Sequence, residues 1–446
     1  MQFDKMLRDN RQLAVADNST HHRPLLGRCL AVLVTIGLLT LVFVSPMVLY
    51  SWGVHYEDSE GIFFEKVHPA TWILLLAWLV SCFARGNPFL IFEDIAAHYA
   101  FVFYFIGVVL LCLFAVFIKK GSITTLIDTF ILPLVVASLF AMASERQKKL
   151  WSLMFHFVLN LNALLGLYEF LTGYRLTPYV AGIVLIESDW RSTAFLGHPL
   201  SNATMTGCYI LIIAFGGARE VPSLARWAIL ALQSLGMVAF GGRAALVLAM
   251  MILFVLLGQE FLKILHGKKI YLPYVTLTIV LMPIFVILLN YGIEQGFFDR
   301  LAGRFVNDEG SAKARLIMLG LFNYITWSDL LLGPDGELIA TLQNNQGIEF
   351  GIESFWIGFI LNYGLICSLL FFLALFCFSW KIVDLTQTGS AIIVVYFFAL
   401  ASTSVSLSAK DILLGMLVAL LMTMMRIETN SISHLATRAR LWHANY

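Results

Sequence analysis

The sequence predicts an all-α polytopic membrane protein, and three observations carry that prediction. Of its 446 residues, 59% are hydrophobic and only 13% charged, with a mean hydropathy of +0.83. A soluble domain is nearer half apolar and a quarter charged. The apolar residues gather into about twelve runs, most approaching the ~20 residues that a bilayer core requires. All six cysteines (Cys29, Cys82, Cys112, Cys208, Cys367 and Cys377) lie inside such runs, with no CxxC or other metal-ligand spacing, so neither a disulfide framework nor a metal site is predicted.

The runs fall at 29–50, 67–84, 96–118, 123–143, 151–171, 200–216, 227–241, 244–262, 271–291, 355–379, 391–408 and 412–425. The first follows a polar tail, residues 1–28, that carries Lys5, Arg8, Arg11, Arg23 and Arg28. It ends without an A-x-A site, so it reads as an uncleaved helix rather than a removed signal peptide. Lysine and arginine excess marks the cytoplasmic side. With the tail inside, "ERQKK" (145–149), "AREVPSLAR" (218–226), "HGKK" (266–269) and the C-terminal tail 427–446 are inside too. The outer side receives the acidic "HYEDSEGIFFEK" (55–66), a loop over 172–199 and the largest loop, 292–354. This topology puts 18 of the 29 basic residues inside and 11 outside, and several of the outside ones stand at helix starts. Residues 29–426 read as one transmembrane domain, with both termini cytoplasmic and no internal repeat.

With the first helix running outward, each even-numbered helix begins on the outer face. In "RSTAFLGHPLSN" (191–202), Arg191, His198 and Pro199 precede the sixth helix. Proline suits a first helical position, where its missing N–H would be unpaired anyway. "FGGRAA" (240–245) is a tight turn with Arg243 at the start of the eighth helix, and "GIESFW" (351–356) puts Glu353 at the start of the tenth. Helix N-termini carry partial positive charge and free N–H donors, and they bind anions, phosphate above all. Arginines beside them hold a diphosphate with two parallel hydrogen bonds each. An external anion site is therefore predicted.

The largest loop adds Arg300 and Arg304 one turn apart, a cap at Ser311, and a helical pattern through Leu316, Ile317, Leu319, Leu321 and Phe322 with Lys313 and Arg315 near its start. The turn "GPDG" (333–336) ends it. This predicts an amphipathic helix on or near the membrane with basic residues at one end. Each residue also has a plainer reading. Arg243 could snorkel to lipid headgroups, and His198 could serve only its helix start. Arg300 and Arg304 could be a solvated face, and Glu353 could merely favour its helix N-terminus.

No GxxxxGK[ST], HExxH, GxSxG or GxGxxG opens a helix. Nor is there a basic, aromatic-rich soluble segment of the kind that binds nucleic acid.

At these positions the chain resembles the O-antigen polymerase/ligase superfamily of bacterial envelope glycosyltransferases. The matching stretches are Arg191-Ser-Thr-Ala-Phe195 with Gly197-His198-Pro199, then Gly242-Arg243-Ala244. After them come Ser311-Ala-Lys-Ala-Arg315 with Leu331-Leu332-Gly333-Pro-Asp-Gly336, and last Glu353-Ser354-Phe355 with Asn362-Tyr-Gly364-Leu-Ile366. The resemblance spans roughly residues 150–380. It implies a GT-C-like fold and an undecaprenyl-diphosphate-linked glycan as donor, used at the periplasmic face of the inner membrane. A second lipid-linked glycan would be the acceptor, and neither nucleotide sugar nor metal nor other cofactor would be needed. Membrane lipid and a chain-length regulator are the implied partners. The ligase branch carries His where this chain has Glu353, which favours a polymerase over a ligase acting on lipid A-core.

On that resemblance Arg191, Arg315 and Arg243 hold the departing diphosphate, while Glu353 or His198 serves as base. Neighbouring arginines would favour the carboxylate and make Glu353 a poorer base; a titrating His198 suits neutral pH. Two other classes remain open from sequence. A transporter or lipid flippase would place ionisable groups near the bilayer midplane, where Asp128 is one of few candidates. A non-catalytic scaffold would lack a groove for a prenyl chain.

Overall fold

The computed structural model describes residues 23–57, 61–84, 98–181, 184–186, 189–267, 317–347 and 352–427, with positions 290, 293–294, 296–299 and 302–303. Regular structure among them is helical apart from one two-residue antiparallel pair, β1 (Val180–Ala181) and β2 (Val184–Leu185). In chain order the helices are α1 (Arg23–Phe43), α2 (Pro46–Ser51), α3 (Pro69–Ala84), α4 (Tyr99–Ile118) and α5 (Thr124–Met142). There follow α6 (Glu145–Thr172), α7 (Pro199–Ala214), α8 (Ser223–Phe240) and α9 (Arg243–Leu265). Beyond the large loop come α10 (Trp327–Leu332), α11 (Gly336–Asn345), α12 (Phe355–Tyr363), α13 (Leu365–Asp384), α14 (Ser390–Ala401) and α15 (Leu413–Met424).

Seven helices among the described residues are long and apolar enough to cross a membrane: α1, α4, α5, α6, α8, α9 and α13. Four shorter apolar helices, α3, α7, α14 and α15, stand beside them. The protein is thus an α-helical membrane protein. The predicted run at 271–291, except position 290, and the tails before 23 and after 427 lie outside the described residues.

Side-chain contacts fix which helix ends share a face. Helices α6 and α7 are antiparallel, since His156 Nδ1 lies 2.6 Å from Tyr209 Oη and Asn162 Nδ2 donates to Asn202 Oδ1 at 2.8 Å. Helix α8 runs parallel to α6, with Gln233 Nε2 donating to the Leu159 carbonyl and Gly166 against Phe240. Helix α14 is antiparallel to α7: Gly389, at its start, meets Phe215 at the end of α7, and Tyr396 meets Gly207. Small residues permit these close approaches. One face therefore gathers the start of α7, the start of α9, and the ends of α6, α8 and α14. The end of α1 joins them, because Phe43 packs edge-on against Phe195 at 4.8 Å. The opposite face carries an ionic knot in which Arg426 pairs with Glu220 and, at 3.4 Å, with Glu145.

Two expectations are corrected. The run 355–379 is not one helix. Gly364 breaks it with φ +77°, and α12 doubles back on α13, placing Phe355 beside Phe372 and Phe359 beside Phe371. The second is the amphipathic helix predicted to run on to the turn at 333–336: its start at Ser311 lies outside the described residues, and from Ile317 onward the chain is a series of short pieces. A 3-10 turn (Leu321–Tyr324) ends at Ile325, and Thr326 starts α10 by accepting from the Asp329 N–H at 3.3 Å. A side-chain cap of this kind opens a new helix wherever it falls. Met318 and Leu321 of this stretch bury themselves with Ile339, Ile352 and Leu361, whereas Leu319, Tyr324, Trp327 and Leu332 stay exposed.

Asp128, the candidate midplane acid, is buried in a π-helical turn of α5 and saturated with donors. Thr71 Oγ1 donates at 2.6 Å, Tyr56 Oη at 2.9 Å and the His68 N–H at 3.0 Å. It ties three segments together.

Candidate functional site

The loop 189–198 between α6 and α7 is held by buried polar groups that the sequence does not announce. Glu169, near the end of α6, is only 2% exposed. Its carboxyl accepts the N–H groups of Leu176, Thr193 and Ala194 at 3.0, 2.9 and 2.9 Å. Asn162 Oδ1 accepts the Phe195 N–H at 3.0 Å, and Asn202 Nδ2 donates to the Thr193 carbonyl at 2.5 Å. Ser192 bonds at both ends, through its hydroxyl to the Gly166 carbonyl and through its N–H to the Ala239 carbonyl. Buried backbone groups demand such partners. Ala194 takes φ +39° within this frame, an uncommon conformation for a residue with a Cβ.

On this frame stand Arg191 and His198. His198 caps α7: its Nδ1 accepts the Leu200 N–H at 3.2 Å, and Pro199 follows at the first helical position. A ring whose Nδ1 accepts carries its proton on Nε2 when neutral. Burial, helped by the Arg191 cation, lowers this imidazole from 6.5 to about 4. His198 is thus a neutral N–H donor at pH 7, which corrects the expectation that it titrates near neutrality. His68-Pro69 is an instructive counterpart at the start of α3. There Nδ1 caps the Ala70 N–H, and Nε2 reaches the Val44 carbonyl at 2.5 Å. Among the described residues no such acceptor lies on His198 Nε2.

The Arg191 guanidinium is not bare. Asp189 forks it, with Nε at 3.0 and 2.9 Å from the two carboxylate oxygens and Nη2 at 2.5 Å from Oδ2. Burial would raise the Asp189 carboxyl, but these bonds and charges, with Arg175, hold it below the usual carboxylate range. Arg175 donates to the carbonyls of Ile186 and Asp189 and closes the loop. Tyr179 lies amid the cluster. Arg175 and Arg191 stand 5.7 and 5.9 Å from its ring centre, and the His198 ring meets it edge-on at 5.5 Å.

The α8–α9 turn joins the same cluster. Gly241 has φ +63°, and a Cβ there would lie 2.8 Å from Arg191 Cγ and from the Trp190 ring. Glycine is the residue that tolerates both the backbone and the contact. Arg243, two residues on, is half-buried as the first residue of α9. The turn that carries Arg243 therefore lies beside the Arg191–His198 cluster. Glu353 comes to the same face, because Trp356, three residues later, donates to Ser402 Oγ at 2.5 Å just past the end of α14. The large loop begins there too, as Phe297 packs on Phe170, which also touches Trp190. Arg300, Arg304 and Arg315 lie outside the described residues.

Sequence reading found the two arginines and the histidine but missed Glu169, Asn162, Asn202, Tyr179, Arg175 and Asp189. Asparagines and a glutamate inside the apolar run of α6 and at the start of α7 were the available signal. No protein-family model, curated protein or solved structure matches the chain.

Proposed function

We propose that this protein is a membrane glycosyltransferase of the polysaccharide-polymerase kind. It takes a glycan from undecaprenyl diphosphate at the periplasmic face of the bacterial inner membrane and joins it to a sugar hydroxyl of another lipid-linked unit. The observation that carries the reading is the packing of the turn that carries Arg243 beside Arg191 and His198, on a loop pinned by Glu169 and Asn162. Rigid guanidinium groups beside helix N-termini suit a group that gains negative charge as it departs.

In the reaction an acceptor hydroxyl attacks the anomeric carbon, and the bond to the diphosphate breaks with its electron pair leaving on phosphate oxygen. Arg191 and Arg243 stabilise that charge, His198 Nε2–H adds a neutral donor, and Glu353 receives the hydroxyl proton. His198 does not act as base in this scheme, because its Nδ1 is engaged by the Leu200 N–H. Arg315, with Arg300 and Arg304 as a further basic stretch, enters on the family resemblance.

Deletion of the gene in its native cell, followed by a gel of surface glycans, tests the proposal. Single-repeat glycans in place of polymer are expected, and an Arg191→Lys copy, which keeps charge but loses the planar fork, should restore less than a tenth of the polymer. An unchanged glycan pattern in the deletion would contradict the proposal. Accumulation of lipid-linked polymer would mark a ligase instead.

A further inference from the structure

Asp189 occupies the Nε–Nη2 edge of Arg191, one of the two edges by which a guanidinium grips a phosphate with paired hydrogen bonds. The pair is local: the two residues stand two apart on one loop, and the Arg191 N–H also bonds Asp189 Oδ1 at 2.9 Å. The rest of the loop does not depend on the Asp189 carboxylate. Arg175 grips its carbonyl and that of Ile186, and Glu169, Asn162 and Asn202 hold residues 193–195. The Arg191 stem is fixed against Gly241, and its head rests near the Tyr179 ring. Rotation of one aspartate side chain therefore opens the fork and leaves the guanidinium in place.

The two side chains are only 13% and 15% exposed, so neither partner is left to water. A mostly buried guanidinium is poorly hydrated, so the loss of this carboxylate carries a desolvation cost. A diphosphate brings more charge and more acceptor oxygens than a carboxylate, so it can take over the fork; a monoanion of carboxylate strength gains nothing by the exchange.

We infer that Asp189 is a resident counter-ion of the anion site. It keeps Arg191 formed and neutralised until a diphosphate displaces it, and so it sets which anions the site accepts. The inference rests on the proposed diphosphate-binding role of Arg191.

The test uses the full chain in lipid nanodiscs, titrated calorimetrically with inorganic pyrophosphate, with farnesyl diphosphate and with acetate. Asp189→Asn should bind both diphosphates at least tenfold more tightly than the wild type, and acetate should begin to compete. Asp189→Glu, which keeps the charge, should stay within threefold of the wild type. Asp189→Ser serves as a second neutral variant if Asn misfolds, with thermal melts to confirm folding. If the wild type binds diphosphate and both folded neutral variants bind it equally or more weakly, Asp189 positions Arg191 rather than competing for it, and the inference fails alone. If neither wild type nor variant binds either diphosphate, the proposed function fails and takes the inference with it.

Discussion

At the scale of single residues, His68 and His198 show how one dipeptide serves two ends. Both precede a proline that opens a helix, and both cap the N–H two residues on. His68 then closes its second nitrogen against the Val44 carbonyl, whereas His198 faces Tyr179 and the Arg191 cluster. Sequence cannot separate them, since the difference lies in what α1 delivers to one ring and not to the other. The shared burial has a measurable consequence. Both imidazoles are lowered from 6.5 to about 4 by burial. Between those values the unfolded chain holds protons that the folded protein does not, so stability is full above pH 6.5 and falls as pH drops toward 4. The melting temperature of the wild type should decline across that window. His198→Asn keeps a capping side chain without a titrating ring, and it should show a clearly smaller decline. An identical decline in the variant would contradict the buried, neutral assignment.

At the scale of elements, the breaks matter more than the helices. Apolar runs marked the spans, because burial in lipid or protein leaves a compositional trace whatever the partner. It could not reveal that α12 doubles back at Gly364, since both halves are equally apolar. The clue was the glycine itself. Its φ of +77° and its contact with the backbone of Leu332 and Gly333 leave no room for a Cβ. Lys119, at the end of α4, secures the same corner by donating to the carbonyls of Gly333 and Pro334. Gly364→Ala should cost about 1–3 kcal/mol from backbone strain alone, and more once the turn is displaced. A lower melting temperature and faster proteolysis within 331–347 are the expected outcome. Unchanged proteolysis would mean that the corner does not hold the large loop.

At the scale of the whole molecule, the legible part of the site was its charge and the hidden part was its support. Arginines and a histidine at the ends of apolar runs stand out in any hydropathy trace. Glu169, Asn162 and Asn202 do not, because each is one polar residue in or beside a long apolar helix, and its purpose exists only when α6, α7 and the loop are assembled. Asp189 was invisible for a related reason, as a loop aspartate has countless uses until its partner's geometry is known. The spans in turn place this cluster on one face and the Glu145–Glu220–Arg426 knot on the other. That separation gives the central claim a direct test. The protein in nanodiscs is photo-crosslinked with a diazirine-bearing prenyl diphosphate, and the adducts are mapped by mass spectrometry. Saturable adducts within 189–198 and 240–245, lost on competition with unlabelled farnesyl diphosphate, are predicted. Adducts confined to the Glu220–Arg426 face, or none that saturate, would contradict the claim that these turns form a diphosphate site.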